Sequence, residues 1–148
     1  LTRLIRESGV GRQVPLRILR EGRPLELTAT LAAQPKRAWQ AVEYEDGIFG
    51  LTVRELTQDV RILLNLPEDV QGVIVRRVES GSWAALANVR PGSIILDFGD
   101  HRVTNIDEFR QAVENVAAEK PQEVTIFARV GPLTGFYRLE PRWSDANP

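Results

Sequence analysis

Residues 47–56 restrict the fold most. They run Gly47, Ile48, Phe49, a second glycine at Gly50, and then the alternating Leu51, Thr52, Val53, Arg54, Glu55 and Leu56. Glycine reaches backbone angles closed to other residues, so a turn here can aim several N–H groups at one point. A concave set of unpaired N–H groups is an anion site by geometry. If the strand that follows is a sheet edge, a peptide can pair with it while its terminal carboxylate sits in the turn. The same glycines also suit a plain loop entering a buried strand, and the residues alone leave both readings open.

Composition limits what can surround that stretch. A chain of 148 residues, 43% hydrophobic and 26% charged, fits one globular domain, or one domain and a fragment. At that length the core can bury about two-thirds of the unfolded surface. A net charge of −1 with interspersed signs supplies no polycation for nucleic acid or anionic lipid. No apolar run approaches the roughly 18 residues of a membrane span. The absence of cysteine excludes disulfides and thiolate metal sites. The chain opens on Leu1 and reads as cut from a longer one, with any targeting signal upstream.

Taken in order, Leu1, Leu4 and Ile5 are spaced as on a helix face, and Ser8, Gly9 and Gly11 stop it. Val14, Leu16 and Ile18 alternate as a strand. Glu21 to Pro24 turn, and Leu25, Leu27, Ala29 and Leu31 alternate again. The same order returns late in the chain. Ile106, Phe109 and Val113 form a helix face behind an Asn105/Glu108 capping box. A strand through Val124, Ile126, Ala128 and Val130 follows, then a Gly131-Pro132 turn and Phe136 to Leu139. Aligning Leu1 with Phe109, Ile5 with Val113 and Val14 with Val124 requires only a loop two residues shorter in the first copy. Residues 1–35 therefore read as the last part of one domain and residues 36–148 as a complete second copy, with a linker at 34–37.

Between the copies, residues 57–66 suggest a short helix capped by Thr57 and stopped by Pro67. Residues 72–78 form a β-branched strand. Ser82 caps a helix over 83–87, and Asn88 ends it in the left-handed conformation. Ile94, Ile95 and Leu96 form a strand, and Gly99-Asp100 a tight hairpin to His101, Arg102 and Val103. The expected fold is α+β, a partly open barrel or sandwich of five to six strands with two short helices.

Catalytic signals are missing. His101 is the one histidine and falls beside a hairpin, where a solvated side chain is expected. No serine sits in a Gly-x-Ser-x-Gly elbow, and no Walker or Rossmann spacing occurs. One histidine without cysteine makes a poor zinc site. The chain reads as a non-enzyme without cofactor or metal.

The order of pieces resembles a PDZ domain, and more closely the PDZ domains that follow the catalytic domain of bacterial HtrA/Deg-type serine proteases. The resemblance covers about residues 39–142. It rests on Phe49-Gly50-Leu51, Leu66-Pro67-Glu68, Gly72 to Val75, Gly81 to Ala85, Arg90 to Ile95, and Asn105 to Val113. It implies that N–H groups of Phe49, Gly50 and Leu51 hold a peptide carboxylate. Ile48, Thr52, Val53, Ile106, Arg110 and Val113 would then line the groove. Within it Leu51, Val53, Ile106 and Val113 would form the terminal side-chain pocket, although simple core packing suits these four equally. Arg110 would favour an acidic residue further up the peptide. Glu45 and Asp46, just before the loop, would repel a carboxylate if they turned inward.

Implied partners are C-termini or extended segments of unfolded proteins and the protease domain of the same parent, in the periplasm or cell envelope. Two alternatives accompany this. One is an assembly or regulatory interface that binds no free peptide, marked by Trp39, Phe49 and Trp83 as one exposed patch. The other is a PDZ domain from a different protease class. The alternating strands of residues 1–33 carry apolar faces that need a cover, and would pack on the complete domain or exchange between two chains.

Overall fold

The structure, a computed structural model, describes residues 11–32 and 38–143. The helix expected over residues 1–7 and the linker at 34–37 lie outside the described residues. The chain divides into two compact units, Leu1–Pro35 and Lys36–Pro148.

In the first unit, β1 (Gln13–Arg20) and β2 (Arg23–Thr30) pair antiparallel from Gln13 opposite Thr30 to Arg20 opposite Arg23. Glu21 and Gly22 both take positive φ, 52° and 77°, the combination whose twist matches a two-residue hairpin. Leu16 faces Leu27 and Ile18 faces Leu25 on one side of the ribbon, while Arg17 meets Glu26 at 2.8 Å on the other.

The second unit is an α+β open sandwich around one sheet. A 3-10 turn (Ala38–Gln40) leads into β3 (Glu43–Asp46) and β4 (Leu51–Glu55). Helix α1 (Gln58–Leu63), β5 (Val73–Val78), α2 (Trp83–Leu86), β6 (Ile94–Phe98) and β7 (His101–Arg102) follow. Helix α3 (Ile106–Glu119), β8 (Val124–Val130) and β9 (Leu133–Leu139) complete it. The sheet has seven strands, in the order β3-β4-β5-β6-β8-β9 with β7 on β6. Every pairing is antiparallel. Seven strands rather than five or six arise because the acidic stretch at β3 pairs with β4, beside a β7 that the Gly99-Asp100 hairpin already led one to expect. Register breaks between Thr52 and Val53 and between Ile95 and Asp97 bend the sheet around its core.

Helix α3 closes that core. Ile106, Phe109, Ala112, Val113 and Val116 fall on one face and are all buried. Asn105 Oδ1 accepts the Glu108 N–H at 2.9 Å, so the expected N-cap forms. Glu108 reaches back one residue further than a capping box requires. Its carboxylate accepts the Thr104 N–H at 2.8 Å and the Thr104 hydroxyl at 2.6 Å, which holds its pKa below the usual range. Ser82 Oγ caps α2 by accepting the Ala85 N–H at 3.2 Å, and Asn88 ends that turn at φ 63°. Helix α1 departs from expectation. Thr57 makes no side-chain cap bond, and the helix stops at Leu63, short of Pro67, with Asn65 left-handed at φ 48°.

Because one cap carries the start of α3, Asn105→Ala should cost about 1 kcal/mol of unfolding free energy in urea titration. A change indistinguishable from zero would mean that the Thr104–Glu108 bonds fix the helix start by themselves.

Candidate carboxylate loop and peptide groove

Residues 47–50 form the turn joining β3 to β4. Gly50 is required there twice over. Its φ is 76°, and a Cβ on it would lie 2.2 Å from Ser82 Cβ. The backbone of the turn is also spoken for. The Phe49 carbonyl accepts the Ala84 N–H at 3.1 Å and the Gly50 carbonyl the Glu79 N–H at 2.9 Å, tying the turn to α2 and the end of β5. Gly47 has neither a positive φ nor a close neighbour. Of the two glycines that marked this stretch, only the second is a conformational necessity.

A carboxylate already occupies the loop, and it belongs to Asp46. Its Oδ1 accepts the Ile48 N–H at 2.9 Å and its Oδ2 the Phe49 N–H at 3.1 Å. The Gly50 N–H goes to the Asp46 main-chain carbonyl at 3.2 Å. The donors that converge are therefore Ile48 and Phe49, whereas Leu51 stands opposite Asp46 in the strand ladder. Asp46 is 2% exposed, and burial pushes its carboxyl up to about 6 despite the two backbone N–H bonds that favour the charge. Glu45 turns outward to Arg77 at 3.1 Å. Only one of the two acids expected to oppose a peptide carboxylate points inward.

The edge on which the peptide reading relied is covered. Strand β4 lies between β5 and β3, with Tyr44 opposite Val53 and Asp46 opposite Leu51. Successive residues alternate faces, so Tyr44 and Asp46 look inward and Glu43 and Glu45 outward. The Tyr44 ring meets Phe109 of α3 edge-on at 6.1 Å. Burial first, then the charges of Asp46 and Glu114, raise the Tyr44 pKa, while Arg110 acts against them. Strand β3 thus occupies the space between β4 and α3. The sequence carried a partial signal for it: apolar residues alternate on both sides of the turn at 47–50, Val42 and Tyr44 before it and Leu51 and Val53 after.

The expected groove residues divide accordingly. Leu51 and Val53 are fully buried, Val113 is 1% and Ile106 8% exposed, so these four pack as core. Thr52 is half-buried, Ile48 is 41% exposed, and Arg110 lies exposed on Asp107 at 3.0 Å. Phe49 is fully buried, edge-on to Phe98 at 5.1 Å and to Trp143 at 5.9 Å. It therefore cannot share a surface patch with Trp39, which is exposed, and Trp83 is itself partly packed on the core. His101 is half-buried rather than solvated.

Two outcomes follow from this geometry. Gly50→Ala should lose about 3 kcal/mol of stability through left-handed strain and the collision with Ser82, while Gly47→Ala changes it by less than about 0.5 kcal/mol. Equal effects in urea titration would mean the turn can rearrange. The second concerns Asp46, whose folded pKa lies above the ordinary 3.8. The folded chain keeps this proton where the unfolded chain loses it, so the group's contribution is greatest below pH 4 and declines as pH rises to about 6. Two units correspond to about 3 kcal/mol. The difference in unfolding free energy between the wild type and Asp46→Asn should change across that window and level off above it. A difference constant with pH would mean that Asp46 is solvated.

No family model matches the chain. Among curated proteins it is 32% identical over 135 residues to a probable periplasmic serine endoprotease DegP-like of Chlamydia trachomatis, covering 88% of this chain and 25% of that protein. A protein of the same description from Chlamydia muridarum is 34% identical over 114 residues, covering 74% of this chain and 21% of that one. The chain spans about a quarter of the length of these relatives. Among solved structures, the HtrA-type protease AlgW with decapeptide superposes with a TM-score of 0.53 at 22% identity, covering 68% of this chain and 29% of that one. In sequence the chain thus resembles a quarter-length part of DegP-like serine endoproteases, and in fold it resembles an HtrA-type protease.

Proposed function

We propose that the Lys36–Pro148 unit recognises C-termini or extended segments of other proteins by strand addition between β4 and α3. One observation carries this reading. The Ile48 and Phe49 N–H groups converge on a carboxylate at the end of a strand that runs antiparallel to β4 and faces α3. That is the arrangement in which a strand-adding site holds a peptide, main-chain pairing giving affinity and inward side chains selectivity. The neighbour solved with a decapeptide is in keeping with it.

The parent would be an envelope serine protease that uses this unit to recruit or sense unfolded clients, with the periplasm as its compartment, in line with the relatives' names. Weak binding at the groove would gain avidity from the protease domain of the longer parent. In this reading Leu1–Pro35 is the end of a preceding PDZ domain, and its hairpin is covered by the complete domain or by a second copy. A monomer in light scattering whose residues 1–33 are rapidly proteolysed would count against both forms of covering.

The second reading is an assembly interface without free-peptide binding. What favours it is the covered edge of β4, together with Leu133 and Phe136 exposed at 74% and 75% on β9. Peptide pairs differing only in a free or amidated C-terminus separate the two. Free acids should shift the Ile48 and Phe49 amide resonances and amidated forms should not. Identical behaviour of both forms, or no shift with either, favours the interface.

A further inference from the structure

We propose that β3 is a built-in ligand of this groove, so that an outside peptide binds by displacing it. The inference rests on the peptide-recognition reading and adds how that site is kept closed. Strand β4 pairs with β5 on one side and β3 on the other, so neither of its edges is free. A strand can reach the loop end of β4 only where β3 now lies. Strand β3 also has the three features a bound peptide needs. It is antiparallel to β4 in continuous register from Glu43 opposite Arg54 to Asp46 opposite Leu51. It places a carboxylate on the Ile48 and Phe49 N–H groups. It sets one large side chain, Tyr44, against Phe109 of the facing helix.

Strand β3 is held by its ladder to β4, by Tyr44 against Phe109 and by rim charges, contacts that an added peptide strand can reproduce. It is four residues long. Its outward side chains make surface ion pairs, Glu43 with Arg54 and Arg76 at 2.6 and 2.9 Å and Glu45 with Arg77 at 3.1 Å. Of these, the exposed Glu45–Arg77 pair stabilises little, whereas Glu43 joins Arg54 and Arg76 in a small network at the rim. Its inward carboxylate is nearly inaccessible, and removing an ionised group from water opposes its bonds to the loop. A peptide offering a free terminal carboxylate can make the same N–H bonds. The register of β3 also specifies the displacing ligand: an extended segment ending in a carboxylate, with an aromatic residue two positions before the carboxylate-bearing one, to take the place of Tyr44.

A reversible lock tests this on the full chain. Glu43 and Arg54 face each other across the pair, and the chain has no cysteine of its own. Glu43→Cys with Arg54→Cys therefore places a single disulfide that pins β3 to β4. The probe is a six-residue free-acid peptide with tyrosine third from the end, titrated calorimetrically. Two opened variants, Tyr44→Ala and Asp46→Ala, are checked for folding by circular dichroism. If β3 occupies the site most of the time, opening it should tighten binding about tenfold, because apparent affinity scales with the fraction open. The oxidised lock should abolish binding and reduction should restore it to the wild-type level. Replacing the peptide's tyrosine by alanine should weaken it several-fold. Equal binding by the oxidised and reduced forms overturns the displacement while leaving peptide recognition standing. No binding by either folded, opened variant overturns both.

Discussion

A carboxylate out of water, held by two backbone N–H groups three residues or fewer away in sequence, sets the shape of this groove. Asp46 accepts the Ile48 and Phe49 N–H groups of the turn that starts β4. The Phe49 ring then lies between Phe98 and Trp143, Phe98 meets Phe109 at 5.5 Å, and Phe109 meets Tyr44. This run of edge-on rings joins the loop, the β6–β7 hairpin, α3 and β3 into one packed unit, a geometry aromatic quadrupoles favour. Trp143 is fixed at its far end by its indole N–H, which donates to the Pro121 carbonyl at 2.7 Å.

The loop is rigid for a separate reason. Its carbonyls accept N–H groups from Ala84 and Glu79, while Ser82, which closes against Gly50, spends its own hydroxyl oxygen on capping α2. A side chain at position 50 would separate the turn from that helix. With the loop fixed from behind, its two inward N–H groups stay aimed at one place whatever fills it.

Much of the fold was legible because side-chain chemistry and local geometry agreed. Alternation gave β8 and the two hairpin strands of the first unit, β-branched residues gave β5, and the apolar run at Ile94 to Leu96 gave β6. Asn105, Ser82 and Asn88 announced the helix ends that they do form. Thr57 did not, because its hydroxyl is buried without a partner instead of reaching the helix N-terminus. The site was harder to read. The strand through Leu51 and Val53 was plain, but whether its edge was free depended on Glu43 to Asp46, an acidic stretch of low strand propensity. What makes that stretch a strand is tertiary: Tyr44 reaches Phe109 on a helix more than sixty positions later in the chain, and Asp46 finds the turn's N–H groups. Arg110 belonged on the groove side by helical spacing, yet spacing could not foresee that Tyr44 would take the position nearest to it.

The chemical shift of the Asp46 carboxyl carbon, followed with the Ile48 and Phe49 amide protons through a pH titration, reports the central interaction directly. A buried carboxylate held by those donors should titrate near pH 6, with both amides moving at the same midpoint. A midpoint in the ordinary range near 3.8, with the two amides unmoved, would mean that Asp46 faces water and the loop stands empty.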